Sequence, residues 1–294
     1  MHLTEQDTLK RVRQIEIKTR GLSDEILAGT YHSAFRGRGL SFAEVREYRV
    51  GDDMRDIDWN VTARSERTHV KVFEEERELT MMLVVDVSPS RMFGSKELTK
   101  KNVITEIAAT LAFSAAKNND KVGCILFSDK VEKFIPPKKG RAHVMMIIRE
   151  LVGFEPQGTS TNISEALRYL VGVNKKRATT FLLSDLINAE SDMAKLDDAL
   201  KIASSKHDIM AVKVYDERDR ELPNVDIVEV EDSETGRRAW LDTSSRAVRH
   251  FWADNYDQRT AVMKSMLQQN RVDMVEVATD EDYVVELIKM FKQR

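Results

Sequence analysis

The chain has 294 residues, 41% hydrophobic and 32% charged, with a formal net charge of −3. That is enough apolar material for a sizeable core beneath a polar surface, and the near-neutral balance excludes the global basic field that draws proteins to nucleic acid. A single cysteine, Cys124, cannot close an internal disulfide and reads as a buried packing residue, and no apolar run approaches the roughly 20 residues of a transmembrane helix.

From Thr4 to Leu27 apolar residues recur at helical spacing, and Gly21 and Ser23 are expected to split the segment into two helices. The first residues lack the apolar core of a signal peptide, so the expected location is the cytoplasm, with no membrane insertion. Residues 29–79 are rich in Arg, Asp, Gly and aromatics. Strands are predicted at 44–50 and 68–73, joined by a turn and short helix over 51–59. Beyond Thr80 the pattern becomes regular. Strand 81–87 leads to a helix over 96–118, strands near 121–127 and 131–135, and helices over 139–151 and 162–173. Strand 178–184, a helix near 191–204 and strand 207–215 follow. A hairpin over 225–242 around Glu234-Thr235-Gly236, a long helix from Ser245 to about Asn270, strand 272–278 and a helix over 281–292 close the chain. This alternation predicts a parallel α/β architecture over 79–294, preceded by an extension of helix and short strands over 1–78.

The chemistry gathers where apolar strands end. Met81 to Val85 run directly into Asp86, Ser88 and Ser90, and ligands in open α/β sheets collect at the carboxyl ends of strands. One carboxylate and two hydroxyls offer only oxygen, which suits Mg²⁺ or Mn²⁺ and not zinc or copper. A polar loop, Gln157-Gly158-Thr159-Ser160-Thr161-Asn162, precedes a helical pattern, and a second apolar strand ends at Ser184-Asp185. Thr159 and Asp185 are the residues of those segments expected to complete the site. Helix capping is the plain alternative for Asp86 and Asp185, and an ordinary loop or cap role for Thr159 and Thr161. Capping does not explain why all these segments adjoin buried strands of one type.

Asp86, Ser88 and Ser90, then Thr159, then Asp185 resemble the metal-ion-dependent adhesion site of von Willebrand factor type A domains. The resemblance implies a three-layer, Rossmann-like domain with a mostly parallel sheet over 79–294. Upstream, Phe35 to Phe42, Arg46-Glu47-Tyr48, Gly51-Asp52-Asp53, Arg55, Ile57-Asp58-Trp59 and Ala63-Arg64 resemble the diagnostic stretch of the bacterial domain-of-unknown-function 58 family. That likeness implies a non-enzymatic adaptor or substrate-recruiting partner of a MoxR-type AAA+ ATPase, whose genes commonly lie beside those of the family. The adhesion-site resemblance implies an Mg²⁺ (or Mn²⁺) ion with one open position for a carboxylate from a bound cargo protein.

Arg46, Asp52, Asp53, Arg55, Asp58, Trp59 and Arg64 form a second candidate surface. They read either as ion pairs fastening the extension to the main domain, with Trp59 packed behind a guanidinium–carboxylate fork, or as a docking surface for the ATPase. Two rivals come from other classes. A Mg²⁺-dependent phosphatase would use Asp86 as nucleophile, but Ser88 stands where haloacid dehalogenase-type enzymes carry a second Asp, and no lysine is evident near Asp185. A nucleic-acid module would use Arg36, Arg38, Arg46 and Arg49. No P-loop motif occurs. The charged stretch Asp216 to Glu221 reads as a solvated loop after its strand, with a contribution to specificity near the expected metal face as the alternative.

Overall fold

The computed structural model describes residues 5–22, 31, 41–65, 67–74, 79–96, 98–187, 193–231 and 236–294. The second helix expected beyond Gly21, the motif residues 35–40 and the hairpin tip at 234–235 lie outside them. Helix α1 (Glu5–Leu22) does not belong with an extension over 1–78. It folds with residues Thr80–Arg294, and Phe35–Leu79 form a separate compact unit. Ion pairs from Lys18 Nζ to Glu106 Oε2 at 2.6 Å and from Arg141 to Glu16 tie α1 to residues Thr80–Arg294.

In the small unit, β1 (Ser41–Glu47) pairs antiparallel with β2 (His69–Glu74), with a register shift between Phe42 and Glu44. A 3₁₀ turn at Met54–Asp56 and the short helix α2 (Trp59–Thr62) connect them. Asp53 accepts from the Arg55 amide, and Asp58 accepts from the amides of Asn60 and Val61, so each acid satisfies donors that a helical start leaves open.

In the large unit, β3 (Thr80–Asp86) is followed by α3 (Lys100–Lys117), β4 (Lys121–Phe127), β5 (Val131–Lys138), α4 (Arg141–Gly153) and α5 (Ile163–Val173). Then come β6 (Thr179–Ser184), α6 (Met193–Lys206), β7 (Asp208–Tyr215) and the short α7 (Glu217–Arg220). The hairpin β8 (Ile227–Glu231) and β9 (Arg238–Asp242) forms a sheet of its own, and α8 (Arg246–Gln269), β10 (Asp273–Ala278) and α9 (Tyr283–Lys292) complete the chain. The main sheet has the order β10-β7-β6-β3-β4-β5, parallel throughout except for β5.

Burial explains the composition of these strands. Met81 through Val85 are each 0% exposed, as a central strand covered on both faces demands. β5 runs on through Pro136-Pro137, beyond the end expected at 135. It is the edge strand, and its register against β4 shifts between Val122 and Cys124, so the two prolines fall at an edge and a bulge, where a missing N–H is tolerated. The connections out of β3 decide where a site can form. The chain passes from β3 to β4 on one side and later returns to β6 on the other. The carboxyl end of β3 is therefore the point where strand order reverses and a crevice opens.

Candidate functional site

Asp86 ends β3 at that reversal point and is 2% exposed. The parallel register pairs Val85 with Leu183, which brings Ser184 alongside Asp86 and Asp185 just beyond it. Asp86 Oδ2 accepts from the Ser184 hydroxyl at 2.6 Å and Asp86 Oδ1 from the Ser88 amide at 2.8 Å. Ser184 Oγ in turn accepts from the Leu186 amide at 3.0 Å, and Asp185 Oδ1 from the Ile187 amide at 3.1 Å. Both acids thus hold the loop that follows their own strand. Local capping is real here, and it leaves lone pairs on every carboxylate oxygen.

Ser88 and Ser90 are buried, with their hydroxyl oxygens 3.0 Å apart. Arg91 follows at 3% exposure and donates from Nη2 to the Phe154 carbonyl at 2.9 Å, while its Nε has no partner. The 156–161 loop is anchored by Glu132, whose Oε1 accepts from the amides of Gln157 and Gly158 and from the Ser128 hydroxyl. Burial raises the Glu132 pKa, and those hydrogen bonds outweigh it, so the net shift is downward. Gly158 is needed for close approach, since a Cβ there would lie 1.9 Å from Asp129 Oδ1 and 2.2 Å from Ser128 Oγ. On this loop Thr159 is exposed. Thr161 is 4% exposed and its hydroxyl has no hydrogen-bond partner. An orphaned buried hydroxyl calls for an explanation, and Thr161 joins the candidates on that ground.

Three residues absent from the sequence-based set complete the picture. Lys100, 2% exposed at the first turn of α3, donates to Asp185 Oδ2 at 3.0 Å and to Asp219 Oδ2 at 3.1 Å. A lysine therefore does stand beside Asp185. Asp216, 0% exposed, accepts from the amide and hydroxyl of Ser95, the Thr279 hydroxyl and the Arg218 amide. Asp219 Oδ2 accepts from the Asp216 amide at 3.0 Å, closing a reciprocal cap on α7. The solvated loop expected at 216–221 is instead a capped turn with its first acid buried, because its partners come from 95, 100 and 279.

The electrostatics follow from burial. Asp86 is pushed up to about 6 by removal from water and then by the charge of Asp185, against the pull of the Ser184 and Ser88 bonds. Arg91 is lowered to about 10 by burial, partly offset by Asp86. Lys100 moves the other way: burial opposes its charge, but Asp185 and Asp219 outweigh it and its pKa is raised. Cys124 is buried and its thiol is pushed far up by burial, which suits a packing residue.

Among the described residues no group of three or more His, Cys, Asp or Glu is arranged to hold a metal ion. Any ion here would depend on hydroxyls. Asp86, Ser88, Ser90 and Thr161 present buried oxygens, which fits a hard divalent cation, and Asp185 would share its carboxylate with Lys100.

In the small unit Arg46 and Asp52 form a two-pronged fork at 2.7 and 2.8 Å, reinforced by the Arg49 amide on Asp52 Oδ2 at 2.7 Å. The bond from Arg46 comes first among the causes that lower the Asp52 pKa to about 2. Asp58 lies 3.7 Å from Lys71 Nζ. Trp59 is not packed behind the fork: it is 69% exposed, because it opens α2 on the outer face, and Arg55 and Arg64 are exposed too.

Comparison with known proteins places these features. The chain is 26% identical over 287 residues to the uncharacterized protein Rv1480 of Mycobacterium tuberculosis, covering 96% of this chain and 88% of that protein. Among solved structures it resembles an aerotolerance-related membrane protein from Bacteroides fragilis, with TM-score 0.46 and 15% identity over 73% of this chain and 97% of that one. It also resembles a von Willebrand factor type A protein from Catenulispora acidiphila, with TM-score 0.33 and 11% identity over 68% of this chain and 45% of that one. The expectation of a cytoplasmic protein does not stand beside a neighbour described as a membrane protein. No helix among the described residues is long and apolar enough to cross a membrane. Residues 44–262 match the family described as "Protein of unknown function DUF58", and the chain belongs to that family.

Proposed function

We propose that the chain is a divalent-metal-dependent protein-binding module that serves as an adaptor or substrate-recruiting partner of a MoxR-type AAA+ ATPase. The observation that carries the metal part is the buried oxygen cluster at the reversal point of the sheet, with Thr161 unpartnered beside a loop that Glu132 and Gly158 hold in place. Asp86, Ser88, Ser90 and Thr161 would hold Mg²⁺ or Mn²⁺, with Asp185 contributing directly or through water. The ion would supply an electrophilic position for a carboxylate of the cargo protein. Arg55, Trp59 and Arg64, exposed on the small unit, would provide the ATPase contact. The ATPase itself is inferred from the family likeness alone.

The test is capture of tagged protein from solubilised whole-cell extract in Mg²⁺ and in EDTA, comparing wild type with Asp86→Ala and Trp59→Ala. A MoxR-type ATPase retained by wild type and lost with Trp59→Ala supports the docking surface. Cargo lost in EDTA and with Asp86→Ala supports the metal site, and retention of both under all conditions refutes the reading.

One observation favours a second reading. The lysine that phosphoryl chemistry requires is present, 3.0 Å from Asp185. Two carboxylates already hold it, however, and Asp86 has both oxygens bonded at 2% exposure. Turnover of p-nitrophenyl phosphate that depends on both Mg²⁺ and Asp86 would establish this reading.

A further inference from the structure

We propose that Lys100 is a resident cation of the strand-end site, competing with a divalent ion for Asp185 and making tight metal binding conditional on a carboxylate from outside. The inference rests on the metal reading above and goes beyond it.

Lys100 is anchored by the first turn of α3, where Thr99 Oγ1 caps the Asn102 amide. Its ammonium is 2% exposed, donates to carboxylates that follow two different strands, β6 and β7, and lies 5.8 Å from the Phe93 ring centre. A buried ammonium survives only when its charge is matched and its protons are taken up. Here both conditions are met by the acid that the metal site would need.

The charges then determine the behaviour. Asp185 and Asp219 face Lys100, and the buried Lys213 adds positive charge towards the same two acids, so the acid the ion would need is already matched. A divalent ion added to this group brings positive charge that its acids no longer balance, and an incoming carboxylate offsets it. Without Lys100 one positive charge fewer opposes the ion. Charges a few ångströms apart in a buried site interact strongly, so the ammonium weakens metal binding in the empty protein and leaves the occupied site hungry for an anion.

The experiment is titration of the full chain with Mn²⁺, reading free ion by electron paramagnetic resonance, for wild type, Lys100→Met, Lys100→Gln and Asp86→Ala, with folding checked by circular dichroism. Lys100→Gln keeps a hydrogen-bond donor without the charge and carries the test if the methionine variant does not fold. The expected result is at least tenfold tighter Mn²⁺ binding when the charge is removed. Unchanged or weaker binding in these variants, beside a wild-type site that Asp86→Ala abolishes, overturns the role of Lys100 while sparing the metal reading. No Mn²⁺ binding in wild type or in either Lys100 variant overturns both.

Discussion

Replacing Asp86 with Asn should stabilise the metal-free protein at neutral pH, against the usual outcome of changing a buried, hydrogen-bonded residue. Burial and the neighbouring Asp185 raise the Asp86 carboxyl from 3.8 to about 6. Holding it ionised above pH 7 therefore costs about 3 kcal/mol relative to the unfolded chain. The sign is that of a raised carboxyl: its contribution is fully favourable below 3.8 and is lost as pH rises through about 6. Asparagine removes both the desolvated charge and the repulsion. Its amide can still accept from the Ser88 amide, while the Ser184 hydroxyl must turn round, a change of about 1 kcal/mol. The net expectation is a gain of about 2 kcal/mol at pH 8 that shrinks towards zero at pH 4. Urea unfolding in EDTA from pH 4 to pH 8 measures it. An Asp86→Asn protein no more stable than wild type at pH 8, or a gap that does not close at pH 4, refutes the account of the site's charge. Adding Mg²⁺ should reverse the ranking, because only the carboxylate gains.

Thr161→Val, which removes an unpartnered hydroxyl, should leave metal-free stability within about 0.5 kcal/mol of wild type and weaken Mn²⁺ binding. Thr159→Val should change neither, and calorimetric titration separates them. Gly158→Ala forces a Cβ against Asp129 and Ser128, and should cost about 1–3 kcal/mol as overpacking, read as a lower urea midpoint together with weaker Mn²⁺ binding. Asp216→Ala leaves the Ser95 and Thr279 hydroxyls and two amides without their acceptor. A loss of about 3 kcal/mol is expected, and a loss under 1 kcal/mol in denaturant titration would mean that the network contributes little.

The main strands and helices were legible because each carries its own signal. Met81 to Val85 are apolar without interruption since both faces are covered, and α3 shows its buried side through Val103, Ile107, Leu111 and Ala115. The acids at 86 and 185 were legible too, because polarity that begins where a buried strand stops marks a strand end. Lys100 was not. It sits in a lysine pair at a helix start, like any solvated residue, and its partners are 85 and 119 positions away. The stretch holding Asp216 and Asp219 was expected near the metal face, but the burial of Asp216 was not legible, since a run of mixed charge looks solvated until its partners arrive. Only the folded chain distinguishes Thr159 from Thr161, because the Glu132 anchor, not the local sequence, determines which hydroxyl is buried. Local pattern dictated the elements and the end of the sheet where chemistry could gather. The balance of charge inside that end was decided by contacts between distant segments, where removal from water makes each unpaired ion expensive.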